Sequence, residues 1–117
     1  MSEIEKQISK YLRFLNLERG LAKNSLAAYQ RDLDSYAKHL ELAKLENLAA
    51  VTELDIEGFV QAEAATKSAA SVARTLAAVR GLHRHLLLEG ELTQDLARRV
   101  KPPKLAMRLP KAITVAE

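Results

Sequence analysis

The sequence predicts an all-α fold, a four-helix bundle-like domain with an extended, basic C-terminal tail. Helix-forming residues dominate the positions before residue 100, whereas β-branched residues are sparse. Apolar residues recur at helical spacing in four separate segments. All prolines lie beyond residue 100, where they oppose continuation of a helix; they are Pro102, Pro103 and Pro110.

The first and third segments begin with capping signals. The first is predicted over residues 2–19, because Ser2 and Glu5 have capping-box spacing and Gly20 suits a left-handed helix end. The third is predicted over residues 52–66, with Thr52 as cap and Asp55 as third residue. Its apolar residues are expected to face inward, and its glutamates to make the exterior acidic; the glutamates are Glu53, Glu57 and Glu63.

The second and fourth segments are longer. The second is predicted from Asn24 or Ser25 to Ala43, and the fourth occupies residues 67–90. A short helical turn is predicted over residues 93–100. Residues 1–100 are therefore expected to form the helical domain. Residues 101–117 are expected to form an extended basic linker.

Composition narrows the class of protein. The chain has 117 residues, which suits one domain, and lacks cysteine, which excludes disulfides and thiolate metal sites. No apolar run reaches the roughly 20 residues of a membrane span, so a soluble cytoplasmic protein is expected. Residues 1–66 carry 8 Lys and Arg against 11 Asp and Glu, whereas residues 67–117 carry 10 against 4. This asymmetry favours a partner of one charge sign that approaches one side, although a solvated surface with chance charge placement remains open.

The fourth segment combines a core stripe with a small, basic face. On a helical wheel, six apolar residues cluster on one side: Val72, Leu76, Val79, Leu82, Leu86 and Leu87. The opposite side carries Lys67, Ser71, Arg74, Arg80, Arg84 and His85 among Ala70, Ala77, Ala78 and Gly81. Long cations above small residues would let a helix enter the major groove of duplex DNA. Two alternatives would also explain the small residues: alanine is a good helix former, or this face packs against another helix.

The second segment repeats this pattern. Its face away from the apolar stripe carries Asn24, Ala27, Ala28, Arg31, Ser35 and Lys38. Lys23, Asn24 and Ser25 lie at its N-terminus, where free N–H groups and the helix dipole favour a phosphate. Asn24 or Ser25 could equally be an ordinary helix cap.

The sequence offers no catalytic or metal-binding constellation. His83 and His85 are two residues apart and therefore point to different sides of a helix. His83 falls beside the core stripe, where a tucked or snorkelling imidazole is expected. No nucleophile triad, carboxylate dyad, phosphate-binding loop or zinc spacing is present. We expect no enzymatic activity of the chain itself, no cofactor, no metal and no small-molecule substrate.

Three stretches resemble Xer-type tyrosine recombinases of the phage-integrase family. Residues 14–40, FLNLERGLAKNSLAAYQRDLDSYAKHL, are similar to the family's opening motif, and residues 71–90, SVARTLAAVRGLHRHLLLEG, to a later helix. Residues 102–117, PPKLAMRLPKAITVAE, resemble the junction with its LPK and trailing Glu. The resemblance covers nearly the whole chain.

This resemblance implies a core-binding (SAM-like) domain, the four-helix N-terminal half of a C-shaped clamp. The resemblance also implies that residues 101–117 are a linker and the start of an absent catalytic domain. Catalytic residues of the parent recombinase or integrase would lie in that domain, and none maps onto this chain. The second and fourth helices would cross the major groove of one half-site, and the first would lean toward a neighbouring protomer. Chromosome-dimer resolution and mobile-element integration both remain open as roles. The predicted DNA-binding residues are Lys23, Asn24, Ser25, Arg31, Lys38, Lys67, Ser71, Arg74, Arg80 and Arg84.

A helical protein–protein adaptor without DNA binding is the alternative function. In that interpretation, the small faces of the second and fourth helices would dock partner helices rather than a duplex. The mass of the protein with and without added duplex distinguishes an oligomer from a DNA binder.

Overall fold

The structure is a computed structural model that describes residues 2–102, and the regular elements in this range are helical. The α-helices are α1 (Glu3–Leu17), α2 (Lys23–Leu42), α3 (Glu53–Ala64) and α4 (Ala69–Leu88). A short 3-10 helix, Leu48–Ala50, precedes α3 and was not predicted. Helix α4 packs against the other three α-helices, and α2 packs against α1 and α3. The predicted all-α fold is confirmed.

The predicted capping boxes of α1 and α3 are both formed. The Ser2 hydroxyl accepts a hydrogen bond from the Glu5 N–H at 3.1 Å, and the Ser2 N–H donates to the Glu5 carboxylate at 3.0 Å. Thr52 and Asp55 make the same reciprocal pair. Gly20 follows α1 with a φ of +61°, and Gly90 follows α4 with a φ of +80°. Local sequence signals therefore determine where these helices begin and end.

The start of α2 differs from the capping alternative. Helix α2 begins at Lys23, and its cap residue, Ala22, makes no side-chain hydrogen bond to the helix. Asn24 and Ser25 already lie within the first turn, and both are exposed. The interpretation of either residue as the cap is wrong, because a cap must precede the helical backbone.

The core lies between α4 and the inward faces of the other helices. Five of the six predicted stripe residues of α4 are buried, and Leu87 is half-buried. Tyr36 of α2 and Phe59 of α3 are fully buried, with their ring centroids 5.0 Å apart. The inward-facing interpretation of Ile56, Phe59 and Val60 is confirmed.

Two other predictions are wrong. Glu63 is 9% exposed rather than part of an acidic exterior, because it faces α2 and the start of α4. Residues 93–100 form turns without a helix; the Arg98 N–H donates to the Asp95 carbonyl and the Val100 N–H to the Ala97 carbonyl. Ala97 and Val100 are buried in the core, and this packing outweighs the few hydrogen bonds of a single helical turn.

The tail prediction falls almost entirely outside the described residues. Lys101 and Pro102 are exposed and non-helical, and residues 103–117 lie beyond the described range. The boundary placed at residue 100, and the linker after it, stay predictions.

Candidate nucleic-acid interface

The outward side of α4 is sterically low and flanked by cations. Ala70, Ala73 and Ala77 are exposed there, and Arg74 and Arg84 are exposed beside them. A helix side made of methyl groups allows the backbone to approach a surface closely, while arginine side chains extend beyond the contact. This part of the predicted small, basic face is present.

Three residues assigned to that face lie elsewhere. Ala78 is fully buried, so its assignment to the outward face is wrong. Gly81 lies under Tyr11, because a Cβ atom at position 81 would collide with the Tyr11 hydroxyl. His85 packs against α1, with its ring centroid 4.6 Å from Phe14 and 5.4 Å from Tyr11. Helix α1 thus covers the flank of α4 that a helical wheel alone leaves open.

The predicted residues of α2 face outward. Lys23, Asn24, Ser25, Arg31 and Lys38 are all exposed. Ala27 is exposed among them and Ala28 is half-buried. The same helix also exposes Asp34 and Glu41, so its outer face carries both signs of charge.

Arg74 connects α4 to α2 through a bidentate ion pair. Its Nε donates to Oδ2 of Asp32 at 2.9 Å and its Nη2 donates to Oδ1 at 2.8 Å. The Thr75 hydroxyl also donates to Oδ1 at 3.1 Å. The Asp32 hydrogen bonds raise the pKa of Arg74. Asp32 is 4% exposed, so the acidic member of this pair is buried.

Lys67 is joined to the bundle in a similar way. It precedes α4, whose cap is Ser68, and its Nζ lies 2.8 Å from the Glu63 carboxylate. The Ser35 hydroxyl donates to the same carboxylate at 3.3 Å. Ser71 is half-buried in the first turn of α4, where its N–H donates to the Ser68 hydroxyl at 3.2 Å.

Arg80 and Arg84 border a cleft beside the segment that follows α4. The Arg80 Nη2 donates to the Val100 carbonyl, while its Nε is buried without a partner. Arg84 is exposed, and the cleft of about 290 Å³ is lined by Arg80, Gly81, Arg84, Asp95 and Arg98. Arg80 therefore anchors the 91–100 segment, and its partly covered guanidinium differs from the free cation that the sequence predicts.

His83 is buried in the bundle beside Tyr36. Its Nε2 lies 2.8 Å from the Tyr36 hydroxyl oxygen, and burial lowers the pKa of His83 to about 4. The tucked imidazole, one of the two predicted placements, is confirmed.

Among residues 2–102, no group of three His, Asp or Glu side chains is arranged to hold a metal ion. None of the helices described is both long and apolar enough to cross a membrane.

Sequence reasoning missed two residues of this surface. Asp32 lies on the same side of α2 as Leu33 and Tyr36, and an acid on the apolar side of a helix is a signal for a buried cation partner. Arg98 joins Arg80 and Arg84 only because the chain folds back after Gly90. No spacing rule predicts that return.

The fold and the surface define an all-α domain that presents cations from two neighbouring helices. The family model described as phage integrase, N-terminal SAM-like domain, matches residues 8–90. This chain belongs to that family. The predicted resemblance to Xer-type tyrosine recombinases is confirmed by relatives described as tyrosine recombinase XerD.

Three of these relatives show the extent of the likeness. The protein of Mycobacterium tuberculosis is 44% identical over 125 residues, which cover 100% of this chain and 40% of the relative. That of Mycobacterium leprae is 44% identical over 97% of this chain and 39% of the relative. That of Listeria monocytogenes is 36% identical over 92% of this chain and 37% of the relative. The chain thus spans about two fifths of the relatives' length. No solved structure matches it.

Proposed function

We propose that this chain is the DNA-binding module of a site-specific tyrosine recombinase. In this proposal, α2 and α4 grip the major groove of one half-site, and the part of the parent protein that this chain lacks performs strand cleavage. The relatives described as tyrosine recombinases, with which the chain shares the N-terminal domain, support the parent's activity. Such a protein would act in the cytoplasm, where bacterial DNA lies.

The observation that carries the proposal is the exposure of cations around the alanine side of α4 and along α2. Eight of the ten predicted residues are exposed, and Ser71 and Arg80 are half-buried. Arg and Lys are the usual partners of phosphate oxygens, and arginine also pairs with the guanine edge in the major groove. The bidentate pair of Arg74 with Asp32 joins the two helices, which supports their action as one surface.

Arg31 and Arg84 provide a better test than Arg74 or Arg80. Arg31 and Arg84 are exposed and have no hydrogen-bond partner within the described residues, whereas Arg74 and Arg80 also hold other parts of the fold. We expect Arg31→Ala and Arg84→Ala each to weaken duplex binding, measured by fluorescence anisotropy, with unchanged thermal unfolding. Arg13→Ala removes an exposed cation from α1, outside the predicted surface, and is the matched control.

Two results would contradict the proposal. One is a wild-type domain that does not bind duplex DNA in a salt-sensitive way. The other is equal weakening by all three substitutions, since this would mean that net charge rather than the surface of α2 and α4 determines binding.

Contacts with other protomers are the second part of the proposal. Leu17 at the end of α1 and Leu88 at the end of α4 are 69% and 74% exposed, and Leu42 and Leu54 are more exposed still. Exposed leucines also favour the adaptor alternative. Analytical ultracentrifugation separates the two: self-association that needs duplex supports the recombinase module, and association that ignores duplex supports the adaptor.

A further inference from the structure

We infer that Asp32 is a positioning residue for DNA binding, because it holds Arg74 so that the arginine meets the duplex with one defined edge. This inference rests on the proposed function and extends it to a residue that itself does not touch DNA. Asp32 is 4% exposed and carries the charge opposite to that of a DNA contact. Its role is therefore to act through Arg74.

The hydrogen bonds determine which edge of Arg74 is occupied. A guanidinium has five N–H donors in a rigid plane, and two of them, on Nε and Nη2, point at the Asp32 carboxylate. These two donors form the side edge of the group. Of the three remaining donors, one N–H of Nη1 and the other N–H of Nη2 form the end edge, which the carboxylate does not cover.

The uncovered edge has the geometry that DNA recognises. Two parallel N–H groups on Nη1 and Nη2 suit a phosphate or the O6 and N7 atoms of guanine. The Arg74 side chain is 44% exposed although its partner is buried, so the arginine extends from the bundle toward solvent. The Thr75 hydroxyl, which also donates to Asp32, keeps the carboxylate in place.

This arrangement reduces the entropy that binding must remove. A free arginine at the surface loses side-chain freedom when it contacts a ligand. Here the Asp32 pair restricts Arg74 before DNA arrives. The contribution of Arg74 to affinity should therefore depend on Asp32, even though removal of Asp32 makes the domain more positive.

A double-mutant cycle tests this dependence. Duplex affinity is measured at one salt concentration for the wild type, Asp32→Asn, Arg74→Ala and the double variant. Asp34→Asn is the matched control, because Asp34 is exposed on the same helix and the substitution removes the same charge. We expect Asp34→Asn to tighten binding slightly and Asp32→Asn to weaken it about five- to tenfold, within the range of coupling between contacting residues. In the Arg74→Ala background, Asp32→Asn should behave like Asp34→Asn.

The outcomes separate this inference from the proposed function. If the wild type shows no salt-sensitive duplex binding, the proposed function fails and the inference fails with it. If the wild type binds but Asp32→Asn tightens binding as Asp34→Asn does, only the inference fails. Equal weakening by Asp32→Asn with and without Arg74 also overturns the inference, since it indicates a structural effect that does not pass through Arg74.

A second measurement needs no variant of Asp32, and so does not depend on whether that variant folds. In ¹⁵N-labelled wild type, the Arg74 Nε–H signal is identified by its absence from the spectrum of Arg74→Lys. We expect this signal to remain protected from solvent exchange when duplex is added, because the side edge stays on Asp32. Loss of protection in the complex would mean that Arg74 leaves Asp32 to reach DNA, and would overturn the inference.

Discussion

His83 lies inside the bundle, where its imidazole and the Tyr36 hydroxyl satisfy each other. Burial lowers the pKa of His83 to about 4 and raises the pKa of Tyr36, so both groups are uncharged near neutral pH. In the tautomer that carries its proton on Nδ1, the imidazole accepts a hydrogen bond from the phenol at Nε2, and in the other tautomer Nε2 donates to the phenol oxygen. A polar pair of this kind is stable inside a core only while both members stay neutral.

The lowered pKa predicts a pH-dependent stability. Between pH 6.5 and about 4 the unfolded chain binds a proton at His83 that the folded protein does not, so stability is lost as pH falls through this range. We expect a loss of about 3 kcal/mol, which urea titrations at several pH values would measure. His83→Gln should flatten this dependence, and an unchanged profile in that variant would assign it to other groups.

Gly81 shows how one missing methyl group determines a helix contact. The Tyr11 side chain is 6% exposed and crosses α4 at this position, where a Cβ atom would collide with its hydroxyl. Gly58, in α3, has an open setting, since the nearest atom to a Cβ there would be the His39 Nε2 at 4.0 Å. The two glycines therefore differ in their surroundings rather than in their helical backbone.

We expect alanine to have opposite effects at these two sites. Gly58→Ala should stabilise the domain by up to about 1 kcal/mol, the usual gain from alanine inside a helix. Gly81→Ala should destabilise it by about 1–3 kcal/mol because the core is overpacked. Thermal unfolding measures both variants. Tyr11→Phe should recover part of the loss at Gly81, whereas stabilisation by Gly81→Ala would show that α1 yields easily.

At the scale of the elements, helix starts differ in how they depend on side chains. Helix α3 begins with a reciprocal pair in which the Thr52 N–H donates to the Asp55 carboxylate at 2.8 Å. Helix α2 begins after Ala22 without any such bond, although three polar residues occupy its first turn. These three polar residues, which do not cap the helix, are consequently free for another partner.

This difference predicts separate effects on stability and on binding. Thr52→Ala should cost about 1 kcal/mol of stability, as loss of a helix cap usually does. Ser25→Ala should change stability by less than about 0.5 kcal/mol, because the residue is exposed and is not a cap. In the proposed function it nevertheless weakens duplex binding. Chemical denaturation and anisotropy on the same samples distinguish the two, and a large stability loss in Ser25→Ala would assign the serine a structural role.

At the scale of the whole molecule, the number of cations available to a duplex exceeds the formal net charge of +3. The predicted surface exposes Lys23, Arg31, Lys38, Lys67, Arg74 and Arg84. Two of these six are paired with the buried acids Asp32 and Glu63. Between four and six phosphate contacts are therefore expected for one domain.

Salt dependence measures this number directly. With four to six contacts, the logarithm of the association constant should fall with the logarithm of salt at a slope of about −4 to −5. Affinity should then fall about 10²–10³-fold between 50 and 200 mM salt, with a nonspecific Kd of about 10⁻⁴–10⁻⁶ M at physiological salt. A slope near −4 would mean that Lys67 and Arg74 stay neutralised by their acids. A slope near zero would favour the protein adaptor.

The amino-acid sequence by itself determined the helices, because the signals that form them are local. Apolar periodicity, a capping box and a glycine at a helix end, such as Gly20 or Gly90, each involve residues close together in the chain. It also determined the family, through motifs that are continuous stretches of the chain, such as residues 14–40 and 71–90. The exposed cations of α2 were predictable for the same reason: they share one face of one helix.

Only the tertiary structure decided which of the predicted DNA-binding cations are free of partners within the domain. Arg74 pairs with Asp32 and Arg80 with the Val100 carbonyl, and both pairs join segments whose approach depends on packing. Lys67 pairs with Glu63 only four residues earlier, so this pair is local. Ala78 and Gly81 looked exposed on the wheel of α4 because a wheel shows one helix without its neighbours. Tyr11 of α1 covers Gly81, and a contact between distant segments leaves no periodic signal in either.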